Sequence, residues 1–111
     1  MEITKKKENN YLNLIIDGDL DASSAIYLDE YIQNALNENE NIILIDCGRL
    51  DYISSAGLGV FMSYLKDFDE RNVIMVLFGL SDKVKNVFQI LGLDNLLRIV
   101  ETKDDALKTI T

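Results

Sequence analysis

Two neighbouring hydroxyls, Ser54 and Ser55, stand immediately before Ala56-Gly57-Leu58-Gly59, where the pattern predicts that a helix begins. A serine in that place can cap the helix by accepting from a bare main-chain N–H, which is worth about 1 kcal/mol. It can also take a phosphoryl group, which adds about −1.5 to −2 charges and is favoured by a helix N-terminus by about 0.3–1 kcal/mol. Local chemistry leaves both roles open for either hydroxyl. Glycine inside a helix is unfavourable by roughly 1 kcal/mol per residue relative to Ala. Tight packing on a neighbouring strand explains one of Gly57 and Gly59 better than it explains both. Small residues here also leave main-chain N–H groups accessible to a second molecule. Val60 and Tyr64 fall on a flank with Gly57, either as the edge of a wide buried stripe or as an exposed apolar ridge beside Ser55.

Other chemistries are excluded by residue type. The 111 residues contain no His, so no imidazole base or metal ligand exists. The single cysteine, Cys47, forbids an internal disulfide or a thiolate cluster and reads as a buried apolar residue near a strand end. Asp17, Asp19 and Asp21 alternate like metal ligands, but the loop lacks the further ligands and distal Glu of a calcium site. Gly57-x-Gly59 lacks the third glycine of a dinucleotide fingerprint, and a nucleophile elbow would need Gly where Ile53 stands. No catalytic residue, metal site or cofactor is expected, and the chain is read as a binding protein rather than an enzyme.

Charge restricts the partners. Eleven Lys and Arg against nineteen Asp and Glu give a net charge of −8, which disfavours nucleic acid and anionic membrane surfaces. From Glu8 to Gly48 there are nine acidic residues and no Lys or Arg, so a face built from this segment would complement a basic protein surface. Acidic excess also serves solubility alone. No segment approaches the ~18 apolar residues that cross a bilayer, and a single thiol with no apolar leader fits a reducing cytoplasm.

The elements that must position the serines follow from periodicity. Ile3 starts a short strand, Glu8-Asn9-Asn10 turns, and Tyr11 to Asp17 alternates as the second strand of an edge hairpin. Gly18-Asp19-Leu20-Asp21 is expected to break that strand, with Asp21 capping a helix whose inward stripe is Ala25, Leu28, Ile32, Ala35 and Leu36. Ile42 to Ile45 is a strand buried on both faces, followed by an exit loop. A second helix carries Leu58, Phe61, Met62, Leu65 and Phe68 inward, and Val73 to Phe78 is another apolar strand. Ser81 caps a helix with Val84, Val87, Phe88 and Leu91 inward and Gly92 as its left-handed terminator. Leu96 to Val100 and Asp104 to Ile110 close the chain as strand and helix. Alternation after the hairpin implies an α/β fold with a mixed sheet of about four or five strands and about four α-helices.

Asp46-Cys47-Gly48-Arg49-Leu50-Asp51-Tyr52-Ile53-Ser54-Ser55-Ala56-Gly57-Leu58-Gly59 resembles the signature of the STAS domain family of bacterial anti-sigma factor antagonists. Gly18-Asp19-Leu20-Asp21 is similar to that family's upstream motif, and the order of elements agrees over nearly the whole chain. The resemblance implies one STAS domain over residues 1–111. It also implies a cytoplasmic protein that binds an anti-sigma factor which is itself a serine kinase, so releasing a sigma factor. The kinase then phosphorylates the antagonist and a serine phosphatase restores it. The family's phosphoacceptor falls on Ser55, with Ser54 the alternative, and its upstream acidic residue falls on Asp21. The implied partner surface comprises Asp19, Asp21, Ser54, Ser55, Gly57, Leu58, Gly59 and Val60. Ser54 replaces the usual Asp and Ala56 the usual Ser or Thr, which changes the charge beside the acceptor. A phosphate about 6 Å from Asp19 and Asp21 would meet roughly 1–3 kcal/mol of repulsion per unit pair, about 5- to 150-fold in affinity. The alternative is an unphosphorylated STAS scaffold accessory to a transporter or another partner-switching complex, and a nucleotide-sensing domain is a third reading.

Overall fold

The computed structural model describes residues 1–110. Strands β1 (Glu2–Lys7) and β2 (Leu12–Leu20) form the expected antiparallel hairpin, closed where the Glu8 N–H donates to the Tyr11 carbonyl at 2.9 Å. The chain continues through α1 (Ala25–Asn37), β3 (Ile42–Ile53), α2 (Ser55–Ser63), α3 (Leu65–Glu70) and β4 (Ile74–Phe78). It ends with α4 (Asp82–Ile90), a 3₁₀ turn at Leu93–Asn95, β5 (Arg98–Val100) and α5 (Lys103–Thr109). The five strands lie in sequence order, β1-β2-β3-β4-β5, with β2 to β5 mutually parallel. The sheet is mixed, as its alternating helices and one hairpin require.

Successive strand residues point to opposite faces, and each face has its own cluster. Ile43, Ile45, Met75 and Leu77 pack with Leu28, Ile32, Phe61, Phe68 and Phe88 from α1 to α4. Leu44, Val76 and Phe78 pack on the other face with Ala106 of α5. That two-sided burial is what the unbroken run Ile42-Ile43-Leu44-Ile45 predicts. Cys47 is 1% exposed and burial pushes its thiol up, out of reach of ordinary thiolate chemistry.

Some expectations need correction. Gly18-Asp19-Leu20 does not break β2: Gly18 adopts φ 102° at a shift in pairing register, and the strand runs on to Leu20. The shift in β2 pairing matches a twelve-residue β3 that extends through the expected exit loop to Ile53. Leu91, expected inward, is the C-cap of α4 and is exposed; Gly92 does take the left-handed φ of 71° that ends the helix.

The expected helix from Leu58 to Phe68 is divided at Tyr64, which ends α2 and begins α3. Two local interactions mark the break. The Ser63 hydroxyl donates back to the Val60 carbonyl at 2.7 Å, and Tyr64 turns inward to stack on Phe68 with ring centroids 5.4 Å apart. The buried stripe is therefore Gly57, Leu58, Phe61, Tyr64 and Phe68, while Met62 and Leu65 are only partly buried. Tyr64 is core, 3% exposed, and Val60 is half-buried against it, so the two do not form an exposed ridge.

Candidate functional site

The extra length of β2 and β3 sets the site. Their parallel pairing ends with Leu20 beside Ile53, so the chain leaves the sheet side by side at Asp21 and Ser54. The Ser54 N–H then donates to the Leu20 carbonyl at 2.9 Å. The two sequence motifs meet at this hydrogen bond, between residues more than thirty positions apart in the chain.

The adjacent serines have different jobs. Ser54 is the N-cap of α2, extended at φ −91° and ψ 172°, and its hydroxyl accepts from the Gly57 N–H at 3.2 Å. Ser55 is the first residue of the helix, exposed, and its hydroxyl makes no hydrogen bond within the described residues. The sequence left capping open for both; the geometry gives it to Ser54.

The glycines also separate. A Cβ on Gly57 would stand 2.9 Å from the Leu20 side chain and 3.0 Å from that of Ile53, so this glycine lets α2 seat on the ends of β2 and β3. A Cβ on Gly59 would meet nothing within 4 Å. Leu58 is 6% exposed and, with buried Gly57, faces the core. Of the expected contact residues on α2, Ser55 and Gly59 face outward, Val60 is half-buried, and Ser54 is partly covered by its capping role.

Asp21 organises the facing turn rather than capping α1 directly. Its Oδ1 accepts from the main-chain N–H of Ser23 and Ser24 and from both their hydroxyls, at 2.8–3.1 Å. The helix proper starts at Ala25, whose N–H bonds the Asp21 carbonyl at 3.0 Å. Hydrogen bonds from the Ser23 and then the Ser24 hydroxyl hold the Asp21 carboxyl below its ordinary pKa. Asp19 is exposed at the end of β2 and makes no side-chain hydrogen bond among the described residues. Asp19 and Asp21 line an open hollow with Asp51, Ser23 and the half-exposed ring of Tyr27.

Part of the acidic segment is neutralised elsewhere. Glu38 and Glu40 pair with Lys5 and Lys7 of β1, and Asp17 with Arg49 at 3.6 Å. Asp19, Asp21 and Asp51 make no ion pair among the described residues, and they share their hollow with Met1, whose main-chain nitrogen lies near Gly18. No group of His, Cys, Asp and Glu among the described residues could hold a metal ion. No helix is long and apolar enough to cross a membrane.

Asp51, Tyr27 and the Tyr64–Asp29 contact were not found by sequence reasoning. The Tyr64 hydroxyl donates to Asp29 Oδ1 at 2.5 Å, fastening the α2–α3 joint to α1. Asp51 had a signal, since it lies within the signature segment; the other two are tertiary.

This is the arrangement of a small sheet-and-helix protein in which a helix start lies next to an acidic turn. The STAS domain model matches residues 2–106, and the chain belongs to the STAS domain family. It is 33% identical over 96 residues to the anti-sigma-B factor antagonist of Listeria monocytogenes, covering 86% of this chain and 83% of that one. Its fold is that of an anti-sigma factor antagonist from Mycobacterium paratuberculosis, with TM-score 0.88, 17% identity and coverage of 97% and 92% of the two chains. It is also similar to the Bacillus cell fate determinant SpoIIAA in its phosphorylated form, with TM-score 0.74, 18% identity and coverage of 99% and 100%.

Proposed function

We propose that this protein is an anti-sigma factor antagonist switched by phosphorylation of Ser55. In its unmodified form it binds an anti-sigma factor that is also a serine kinase, and so frees a sigma factor. The kinase transfers the γ-phosphoryl group of ATP to Ser55 Oγ, the hydroxyl proton is lost, and ADP leaves. A serine phosphatase hydrolyses the ester and restores binding.

The observation that carries this reading is the division of labour at the helix start. Ser54 spends its hydroxyl on the Gly57 N–H, whereas Ser55 is exposed with its hydroxyl uncommitted. A phosphate there adds charge without removing a cap, and the helix N-terminus tolerates it. The fold survives and the surface changes. The carboxylates Asp19, Asp21 and Asp51 attract a basic partner before phosphorylation; afterwards the Ser55 dianion crowds against these like charges and has to be desolvated beneath the partner, which weakens the complex.

The test uses purified anti-sigma factors with kinase activity. Ser55→Ala should bind as the wild type does and resist release by ATP, while Ser55→Glu should bind about 5- to 150-fold more weakly. Mass spectrometry should place the phosphate on Ser55. Phosphate on Ser54 alone, or equal binding by Ser55→Glu, overturns the proposal.

A further inference from the structure

Glycine is the poorest helix former after proline, and at an exposed, unstrained helix position it weakens folding about fivefold relative to alanine. Three reasons ordinarily justify it: a left-handed φ, a close neighbour, or an end position. Gly59 has none of them. It is the fifth residue of the nine in α2, its φ is not positive, it is exposed, and a Cβ there would meet no atom within 4 Å. Gly57, two residues earlier, has the second reason in full, with Leu20 and Ile53 filling the space a Cβ would need. Nothing among the described residues accounts for Gly59.

Ser55 and Gly59 are four residues apart in one helix, so they share a face. From Ser54 to Tyr64 the chain carries no charged residue, while Asp21 follows Leu20, the hydrogen-bond partner of Ser54, and shares a hollow with Asp19 and Asp51. A partner can therefore lie flat against the neutral helix with its basic side chains turned to that rim.

We infer that Gly59 is the close-approach point for the anti-sigma factor: a main-chain segment of that partner, flanked by basic side chains, packs directly over Gly59 and so presents Ser55 for phosphoryl transfer. This rests on the proposed function. It makes Gly59 a positioning residue that acts through intermolecular distance and takes no part in the transfer itself.

The experiment separates folding from binding. Gly59→Ala and Gly59→Leu are compared with wild type by thermal unfolding. Their affinities are then measured against a panel of purified anti-sigma factors that includes the anti-sigma-B factor of Listeria monocytogenes. Gly59→Ala should raise the melting temperature by roughly 4 °C. Its affinity should fall about tenfold or more, with a larger fall for Gly59→Leu and with kcat/KM for Ser55 phosphorylation falling in parallel. Unchanged affinity in both variants overturns the inference and leaves the proposed function standing. A lowered melting temperature in Gly59→Ala overturns it too, because the glycine would then have an internal reason. No binding of the wild-type chain by any panel member overturns both readings.

Discussion

The main-chain N–H of Ser54 donates to the carbonyl of Leu20 at 2.9 Å, which places the N-cap of α2 against the residue preceding Asp21. Everything at the site is referred to that bond. It orients α2 across the ends of β2 and β3, closes the distance between two acidic and hydroxylic segments, and leaves Ser55 one residue beyond the cap.

The two serines should therefore respond oppositely to truncation. Ser54→Ala removes a capping acceptor and should destabilise the chain by about 1 kcal/mol, while Ser55 stays available for phosphorylation. Ser55→Ala should change stability by no more than about 0.5 kcal/mol, because the hydroxyl makes no internal bond. Urea unfolding of both variants checks the pair; equal losses would mean that both oxygens share the cap.

Gly57→Ala should destabilise despite the better helix propensity of alanine. The added Cβ would press on Leu20 and Ile53 at 2.9–3.0 Å, and overpacking of this kind costs typically 1–3 kcal/mol against a propensity gain of about 1. The net loss should be up to about 2 kcal/mol in denaturant unfolding, opposite in sign to the change at Gly59.

Much of this was legible in the sequence, and the misses have physical causes. Runs such as Ile42-Ile43-Leu44-Ile45 announce a central strand because both faces are buried, and Ser81 and Gly92 mark the ends of α4 by capping chemistry. The site serines were visible as types and spacing. Their roles were not, because Ser54 becomes the cap only when β3 runs on to Ile53, and that extension depends on pairing with β2 through a register shift at Gly18. The break at Tyr64 was invisible for a similar reason. Val60, Met62 and Leu65 are as apolar as their buried neighbours, so periodicity alone fitted a stripe turned slightly away from the one that Tyr64 and Asp29 select.

Asp19 and Asp21 should prove separable. Asp21 ties together the turn before α1, so Asp21→Ala should lower stability measurably, whereas exposed Asp19→Asn should leave it close to wild type. Because the Asp21 carboxyl lies below its ordinary pKa, it remains charged between pH about 5 and 7, and its support of the fold fades only as pH falls through that lowered value. Partner affinity should be flat over this range as far as Asp21 is concerned. In its unphosphorylated form, Asp19→Asn should bind the partner more weakly, since it loses one attracting charge without disturbing the turn. Isothermal titration with a basic anti-sigma factor at two salt concentrations reads this directly, and the difference between the variants should shrink at high salt.

Tyr64 gives an alkaline signature for the joint between α2 and α3. Burial, and then the hydrogen bond to Asp29, push its hydroxyl up to about 12 from an ordinary value near 10. The neutral form is the one the fold favours. Its contribution is therefore complete below pH about 10 and is lost as pH rises through the folded value of about 12. Stability should decline over that window in wild type and decline less in Tyr64→Phe, which starts about 1–2 kcal/mol lower at neutral pH because Asp29 loses its donor. Since α2 carries Ser55 and α1 follows the Asp21 turn, loosening this joint should also soften the relative placement of the two helices. Tyr64→Phe should then lower partner affinity at pH about 7 by more than its stability loss explains, because unfolding of a minor fraction of molecules removes almost none of the binding-competent population. Chemical denaturation as a function of pH, set beside affinity at neutral pH, tests both parts; parallel alkaline slopes in the two proteins would place the titrating group elsewhere.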